Sequence, residues 1–304
     1  MEILQNKKLL TTLAYVAFGL GALLISFYLT FPAEAVGQRL AHEVQKQSKG
    51  KVSFSFGDAS LYRFSGVSLS SVKVTILQDG KDPLILDFDQ VAARVKILPL
   101  LLLRTAVHAK LELGDGVIHA DFSKRGEIID ADFDIDDVDF TQPPLLPKLA
   151  GIPLAGKLNA SGSIYLAEQP NASTGNLELE LKGGSVGPGA VLGFTVPQVT
   201  LGNLKAVLDL KDGKAKVTKF ENSGGNLTLG FGGEMALRPK FDTSTLDLCA
   251  QLKADPEWLA KNEKVRSAMQ LAEIQFQKDP SGTINIPLRG TVQKPQPSKG
   301  ACRK

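Results

Sequence analysis

The run Ile129-Asp130-Ala131-Asp132-Phe133-Asp134-Ile135-Asp136 decides how the rest of this 304-residue chain is read. Apolar and acidic residues alternate strictly, and successive side chains of a strand point to opposite faces. A helix would scatter these aspartates around its circumference; a strand collects them on one wet face and the four apolar residues on one oily face. A calcium loop is the competing reading of the acidic run. An EF-hand needs Gly at its sixth position and Glu at its twelfth, and counting from Asp130 puts Ile135 sixth. The aspartates therefore read as the solvated side of a strand.

Working upstream, the same period of two recurs in Val52/Phe54/Phe56, Val67/Leu69, Leu84/Leu86/Phe88, Val91/Ala93/Val95/Ile97, Val107/Ala109/Leu111/Leu113 and Ile118/Ala120/Phe122. Val72, Val74 and Ile76 resume the pattern one residue out of step, so Ser70-Ser71 predicts a bulge or a tight bend. Leu98-Pro99-Leu100-Leu101-Leu102-Leu103 interrupts the strands and is too short to cross a bilayer; it reads as a short buried helical turn closing one end of a sheet. Leu145, Leu146 and Leu149 fall in a second, Pro-bounded turn between Pro144 and Pro153.

Downstream the theme continues with Leu158/Ala160/Gly162/Ile164, Leu177/Leu179/Leu181, Leu204/Ala206/Leu208/Leu210, Leu227/Leu229/Phe231 and Leu246/Leu248/Ala250/Leu252. Turns such as Lys182-Gly183-Gly184, Asp212-Gly213 and Ser223-Gly224-Gly225 separate these sets. One late helix is predicted, with Asp255 as N-cap, Pro256 at N1 and Trp258, Asn262, Val265, Met269 and Ala272 on one stripe. Ile274/Phe276 and Ile284/Ile286/Leu288 are expected to complete the sheet. A doubly wound α/β fold is excluded, because it needs a helix after each strand. The fold class is mainly β: a long curled antiparallel meander with a few short helices, behind an N-terminal transmembrane helix.

That helix is Leu9 to Phe31, 23 residues without a charge, long enough for a hydrocarbon core of about 30 Å. Phe27, Tyr28 and Phe31 suit an interfacial belt, and Lys7 and Lys8 precede the span, so the positive-inside rule puts residues 1–8 in the cytoplasm. A cleaved signal peptide is the alternative, since Ala33-Glu34-Ala35 has the small-x-small form, but the apolar run exceeds the roughly 7–15 residues of such a segment. Val36, Leu40 and Val44 then mark a short amphipathic helix, plausible at a membrane surface. The expected division is 1–8 cytoplasmic, 9–31 transmembrane, 32–49 membrane-proximal helix, 50–291 β domain and 292–304 disordered tail.

The composition is ordinary, with 43% hydrophobic and 22% charged residues and a net charge of +3. No Lys/Arg block with interleaved aromatics speaks for nucleic acid. Gly183-Gly184-Ser185-Val186-Gly187 fits the G-x-S-x-G nucleophile elbow, but Pro188 follows where a helix is needed, and His42, His108 and His119 all lie upstream of Ser185. The expectation is no enzyme, no cofactor and no metal. Cys249 and Cys302 are open to pairing or to remaining two thiols; spacing does not decide between them.

The order of several segments resembles a known family. Thr30-Phe31-Pro32-Ala33-Glu34 ends the anchor, Arg39-Leu40 follows, then Val95-Lys-Ile-Leu-Pro-Leu-Leu and Leu149-Ala-Gly-Ile-Pro-Leu-Ala-Gly156 before a Gly-rich strand. In this order the chain resembles the type II secretion system protein N (general secretion pathway protein N) family in its AsmA-like form. The resemblance implies a single-pass inner-membrane protein with a periplasmic β domain, acting without catalysis beside other secretion-system components. The wider AsmA-like group implies an alternative, a hydrophobic β groove that binds or transfers lipid in outer-membrane biogenesis. On that alternative phospholipid acyl chains would meet Val72, Val74, Ile76, Leu84, Leu86, Val91, Val95, Leu111, Phe133, Leu177, Leu179, Leu208, Leu227 and Leu246. A closed core made of the same residues is the simpler reading of the pattern and the one preferred from sequence.

Overall fold

The computed structural model describes residues 2–77, 83–141, 154–191, 194–238, 240–299 and 301–302. Two helices open the chain: α1 (Glu2–Thr30) and α2 (Ala33–Gln47). The strands that follow are β1 (Val52–Ser55), β2 (Ala59–Tyr62), β3 (Gly66–Ile76) and β4 (Leu84–Val95), then the helical turn α3 (Ile97–Leu101). Next come β5 (Thr105–Leu113), β6 (Gly116–Arg125), β7 (Ile128–Asp139), β8 (Leu154–Leu166) and β9 (Thr174–Val186). A small hairpin, β10 (Gly189–Val191) and β11 (Phe194–Val196), leads to β12 (Val199–Lys211), β13 (Lys214–Ser223), β14 (Leu227–Ala236) and β15 (Thr245–Ala254). The chain closes with α4 (Pro256–Lys261), α5 (Glu263–Gln275), β16 (Gln277–Lys278), β17 (Ile284–Thr291) and β18 (Pro295–Pro297).

All strands except the β10–β11 hairpin join one antiparallel sheet that is not closed. From β3 onward each strand pairs with its neighbour in sequence, the small hairpin and the α4–α5 segment being the excursions. Two-residue turns join β5 to β6, β6 to β7 and β12 to β13. At Asp212-Gly213 both central residues have positive φ (52° and 71°), the mirror-image turn whose twist suits a hairpin. Consecutive strand ends therefore alternate between two ends of the sheet. One end carries the β2–β3 turn and α3; the other carries the β5–β6 turn and the α4–α5 segment.

The buried hydrophobic cluster sits at the start of the sheet. Val67, Leu69 and Val72 form it, with Phe31, Val36, Phe54, Phe56, Phe88 and Val91 packed around them. Helix α2 covers this corner because Gly37 allows close approach: a Cβ there would meet Phe56 Cζ at 2.8 Å and Leu69 Cδ2 at 3.0 Å. The buried side of α2 is thus Ala33 and Gly37, while Leu40 and Val44 of the expected stripe are exposed.

Several expectations need correction. The turn Leu98 to Leu103 is not buried: Leu98, Leu102 and Leu103 are 77%, 79% and 92% exposed. At Ser70-Ser71, where a bulge or a tight bend is expected, the structure has the bend. Ser71 is left-handed (φ 48°), yet the β3–β4 register runs unbroken from Gly66↔Arg94 to Ile76↔Leu84. The partner strand changes phase opposite it, from Val91 to Phe88, so both strands turn their apolar side chains toward the same cluster. The late helix divides at Asn262 (φ −124°, ψ 76°) into α4 and α5, and α5 takes up Ile274, which was expected in a strand. Asp255 does cap α4, its Oδ1 accepting from the backbone N–H of Glu257 and Trp258. Within the segment expected as a tail, β18 pairs with β17, and Cys302 forms a disulfide with Cys249 of β15. The Pro144–Pro153 turn lies outside the described residues.

Candidate functional site

The oily faces of the separate strands join into continuous rows across the sheet. One row follows ladder partners from Val67 through Ala93, Ala109, Ala120, Phe133, Gly162, Leu177, Leu208, Val217, Gly233 and Leu248 to Leu288. A parallel row on one side runs from Leu69 through Val91, Leu111, Ile118, Ile135, Ala160, Leu179 and Ala206 to Phe220. On the other side Val95, Val107, Phe122, Ala131, Ile164, Gly175, Leu210, Ala215, Met235 and Leu246 form the third. None of the three contains a charged residue. With strands about 4.8 Å apart, the twelve-strand row is on the order of 50 Å long.

Burial along these rows is incomplete. Leu111, Phe133, Leu177, Leu179, Leu208, Leu227 and Leu246 are all half-buried, as are Val74, Ile76, Leu86 and Val91, and Val95 is exposed. Only Val72 (3% exposed) and Leu84 (1%) of the proposed lining are shut in, which removes them from any open surface. The largest side chains fully buried are Leu84, Ile284 and Pro287, none of them in the middle strands. A closed sandwich of this length would enclose a central layer of Leu, Ile and Phe. The total surface, 19743 Å², points the same way. A compact monomer of this mass exposes about 12,000 Å². Helix α1, whose stretch Thr11–Thr30 is not buried against the rest of the chain, contributes to the excess.

Small residues shape the stripe as much as large ones. The Phe133 ring lies over Gly162, where a Cβ would come within 2.9 Å of its Cζ. Between β13 and β14 the ladder stops at Val217↔Gly233, and the strands diverge beyond it. Asn222 spans the gap, its Nδ2 donating to the Leu201 carbonyl and its Oδ1 accepting from the Leu229 N–H. The Phe220 and Phe231 rings approach at 6.3 Å between centroids, a tilted pair beside the opening. Phe220 and Phe231 are lining residues that the candidate set above lacks.

The opposite face is wet and held by cross-strand charge pairs: Lys73–Asp87, Glu180–Lys205, Lys214–Glu234 and Asp247–Arg289. Asp121 has the densest surroundings. Burial pushes its carboxyl up, but hydrogen bonds and charge from Lys96 (2.5 Å) and His108 (3.1 Å) outweigh that and hold it below the usual carboxylate range. The neighbouring carboxylate Asp134 pushes Asp136 up. His108 and His119 stack at 6.0 Å on this face, and among the described residues no group of three ligands is placed to hold a metal ion. Ser185 lies inside β9 between Ala155 and Thr200 of the flanking strands, not on a strand-to-helix elbow.

Helix α1 contains an uncharged stretch, Thr11–Thr30, long and apolar enough to span a membrane, and none of it is buried against the rest of the chain. No protein-family model, curated protein or solved structure matches the chain.

Proposed function

We propose that this protein is held to a membrane by α1 and binds acyl chains along the oily face of its open sheet. The observation that carries the reading is the set of three charge-free rows, continuous in register and, Ala160 apart, not fully buried along the middle strands. Each methylene that leaves water for such a surface contributes about 0.8 kcal/mol, so a lipid tail laid along several strands gains substantial affinity without any polar recognition. A stripe of Leu, Ile, Val, Ala and Phe offers no hydrogen bond to a headgroup, so selectivity would rest on chain length and fluidity. In this reading Lys7 and Lys8 keep the N-terminus on the cytoplasmic side and the sheet lies in the periplasm.

Detergent-extracted full-length protein is expected to carry phospholipid or fatty acid detectable by mass spectrometry. Photo-crosslinking residues at Leu179 and Leu208 should capture acyl chains, while the same probe at Glu178 on the wet face should not. Replacing Leu179 and Phe133 together by Asp should remove most bound lipid with the β-sheet circular dichroism intact. Equal capture at Glu178, or a lipid-free protein, would sink the reading.

A second reading, a non-catalytic part of a type II secretion machine, is supported by the segment order from Thr30 to Gly156. Deleting the gene should then leave exoproteins in the periplasm. Intact secretion would end that reading without touching the first.

A further inference from the structure

Helical turn α3 is apolar, outward-facing and firmly mounted. Its residues Ile97, Leu98 and Leu100, with Leu102 and Leu103 just after it, are 52% to 92% exposed. The mount consists of charged and backbone contacts on both flanks. Lys96 pairs with Asp121 of β6, and its N–H donates to the Ala106 carbonyl. Arg104 donates to Ser123 Oγ through Nε and Nη2 (3.0 and 2.6 Å) and to Asp130 of β7 at 2.7 Å, and its N–H donates to the Pro99 carbonyl. A floppy loop would fold its leucines against the nearest apolar surface; this one is braced with them pointing away.

Backbone conformation sharpens the point. Leu103 is left-handed (φ 55°) just past α3, a position that most helix ends give to Gly, and it is the most exposed large apolar residue described. In the adjacent β2–β3 turn Arg63 and Phe64 are left-handed too (φ 48° and 60°), and Phe64 is 57% exposed. The two turns are joined, since the Val95 N–H donates to the Ser65 carbonyl. Two neighbouring turns therefore hold bulky apolar side chains in water, in conformations that L-residues adopt at a cost.

Helix α1 ends at the corner of the sheet from which β4 leads to this patch. Phe31, the residue after α1, packs on the cluster that contains Val67, and Val67 pairs with Ala93. Ile97 is four residues further along, about 13 Å at the rise of a strand. Helix α2 then carries the chain away, toward the end of the sheet where Val52 pairs with Ile76. We infer that α3 and the Phe64 turn dip into the same bilayer that α1 spans, so that this end of the sheet rests on the membrane at two points. The inference rests on α1 being a span but is independent of acyl-chain binding by the oily face.

The test uses full-length protein with the native tryptophan removed (Trp258→Phe), reconstituted into phosphatidylcholine bilayers with bromine on the acyl chains. Single tryptophans replace Leu98, Leu103, Ile274 or Phe18 in turn. Segments lying in an interface reach about 5–10 Å into the headgroup and acyl boundary, so Leu98→Trp and Leu103→Trp should lose roughly threefold in emission relative to unbrominated bilayers. Ile274→Trp, exposed on α5 at the opposite end of the sheet, should be unchanged. Quenching of Phe18→Trp with none at Leu98→Trp and Leu103→Trp would overturn the inference and leave the span standing. An emission shift at these two sites that follows protein-to-lipid ratio, without quenching, would assign the patch to a second copy of the chain and also overturn it. If Phe18→Trp itself is not quenched, the span fails and the inference with it.

Discussion

The first three strands and the middle of the sheet share one binary pattern and have opposite fates. At β1–β3 the oily face lies under α2 and the residues Val67, Leu69 and Val72 fall to between 3% and 6% exposure. From β5 to β14 the same alternation leaves Leu111, Phe133, Leu177 and Leu208 only partly buried. Alternation fixes which side chains share a face; whether anything covers that face depends on distant parts of the chain. The two ends of the sheet are also secured differently, by a packed helix at the start and by the Cys249–Cys302 disulfide near the finish.

Breaking the staple is the largest perturbation. The disulfide joins residues 53 apart, and loop-closure entropy for such a loop is worth about 4 kcal/mol. Cys302→Ser, or reduction of the native protein, should lower stability by about that amount in a urea titration followed by circular dichroism. An unchanged midpoint would mean that β14–β17 needs no staple. Next in size is the contrast between covered and uncovered leucines. Leu84→Ala should cost about 3 kcal/mol, as for a fully enclosed side chain, and Leu179→Ala about 1 kcal/mol or less in the absence of lipid. Equal losses would mean that the middle strands are as closed as the corner. Adding acyl lipid should raise the stability of the parent protein more than that of Leu179→Asp, because only the bound folded form is favoured.

The smallest effect concerns the mount of α3. Asp121 has its pKa lowered in the folded protein, so its ionised form contributes stability at pH values above its ordinary range near 4. That contribution disappears as pH falls through the lowered folded value. Asp121→Asn should therefore be slightly less stable than the parent at pH 7, by well under 1 kcal/mol given the part-exposed pairs, and equal to it in strong acid. A difference that persists in acid would point to packing instead of charge.

Much of this fold was legible in the chain because period two is a local signal. Asp130 to Asp136 named its own wet face, and Asp212-Gly213 named its turn. Long-range facts were not legible. Leu98 to Leu103 was read as core from its apolar density alone, since nothing within six residues tells whether another element covers them. Phe220 escaped the lining set because its strand is rich in lysine and because the β-bulge at Val207/Leu208 shifts the phase between Val217 and Phe220. The two-residue gap from Val217 to Phe220 was the available signal. At Ser70-Ser71 the change of phase was visible; that β4 would change phase opposite it, preserving register, was a property of the pair.

The neighbour-to-neighbour order of the sheet has a kinetic consequence. Between β3 and β15, the β10–β11 hairpin apart, each new strand of the sheet docks on the one made before it, so the ladder can grow from its N-terminal end while the C-terminal part of the chain is still unfolded. The growing edge would always be the youngest strand, leaving one unsatisfied row of backbone groups at a time. At completion one edge consists of β1 and β2 along β3 and the other of β16 and β18 along β17, all of them strands of two to four residues and poor templates for a second chain.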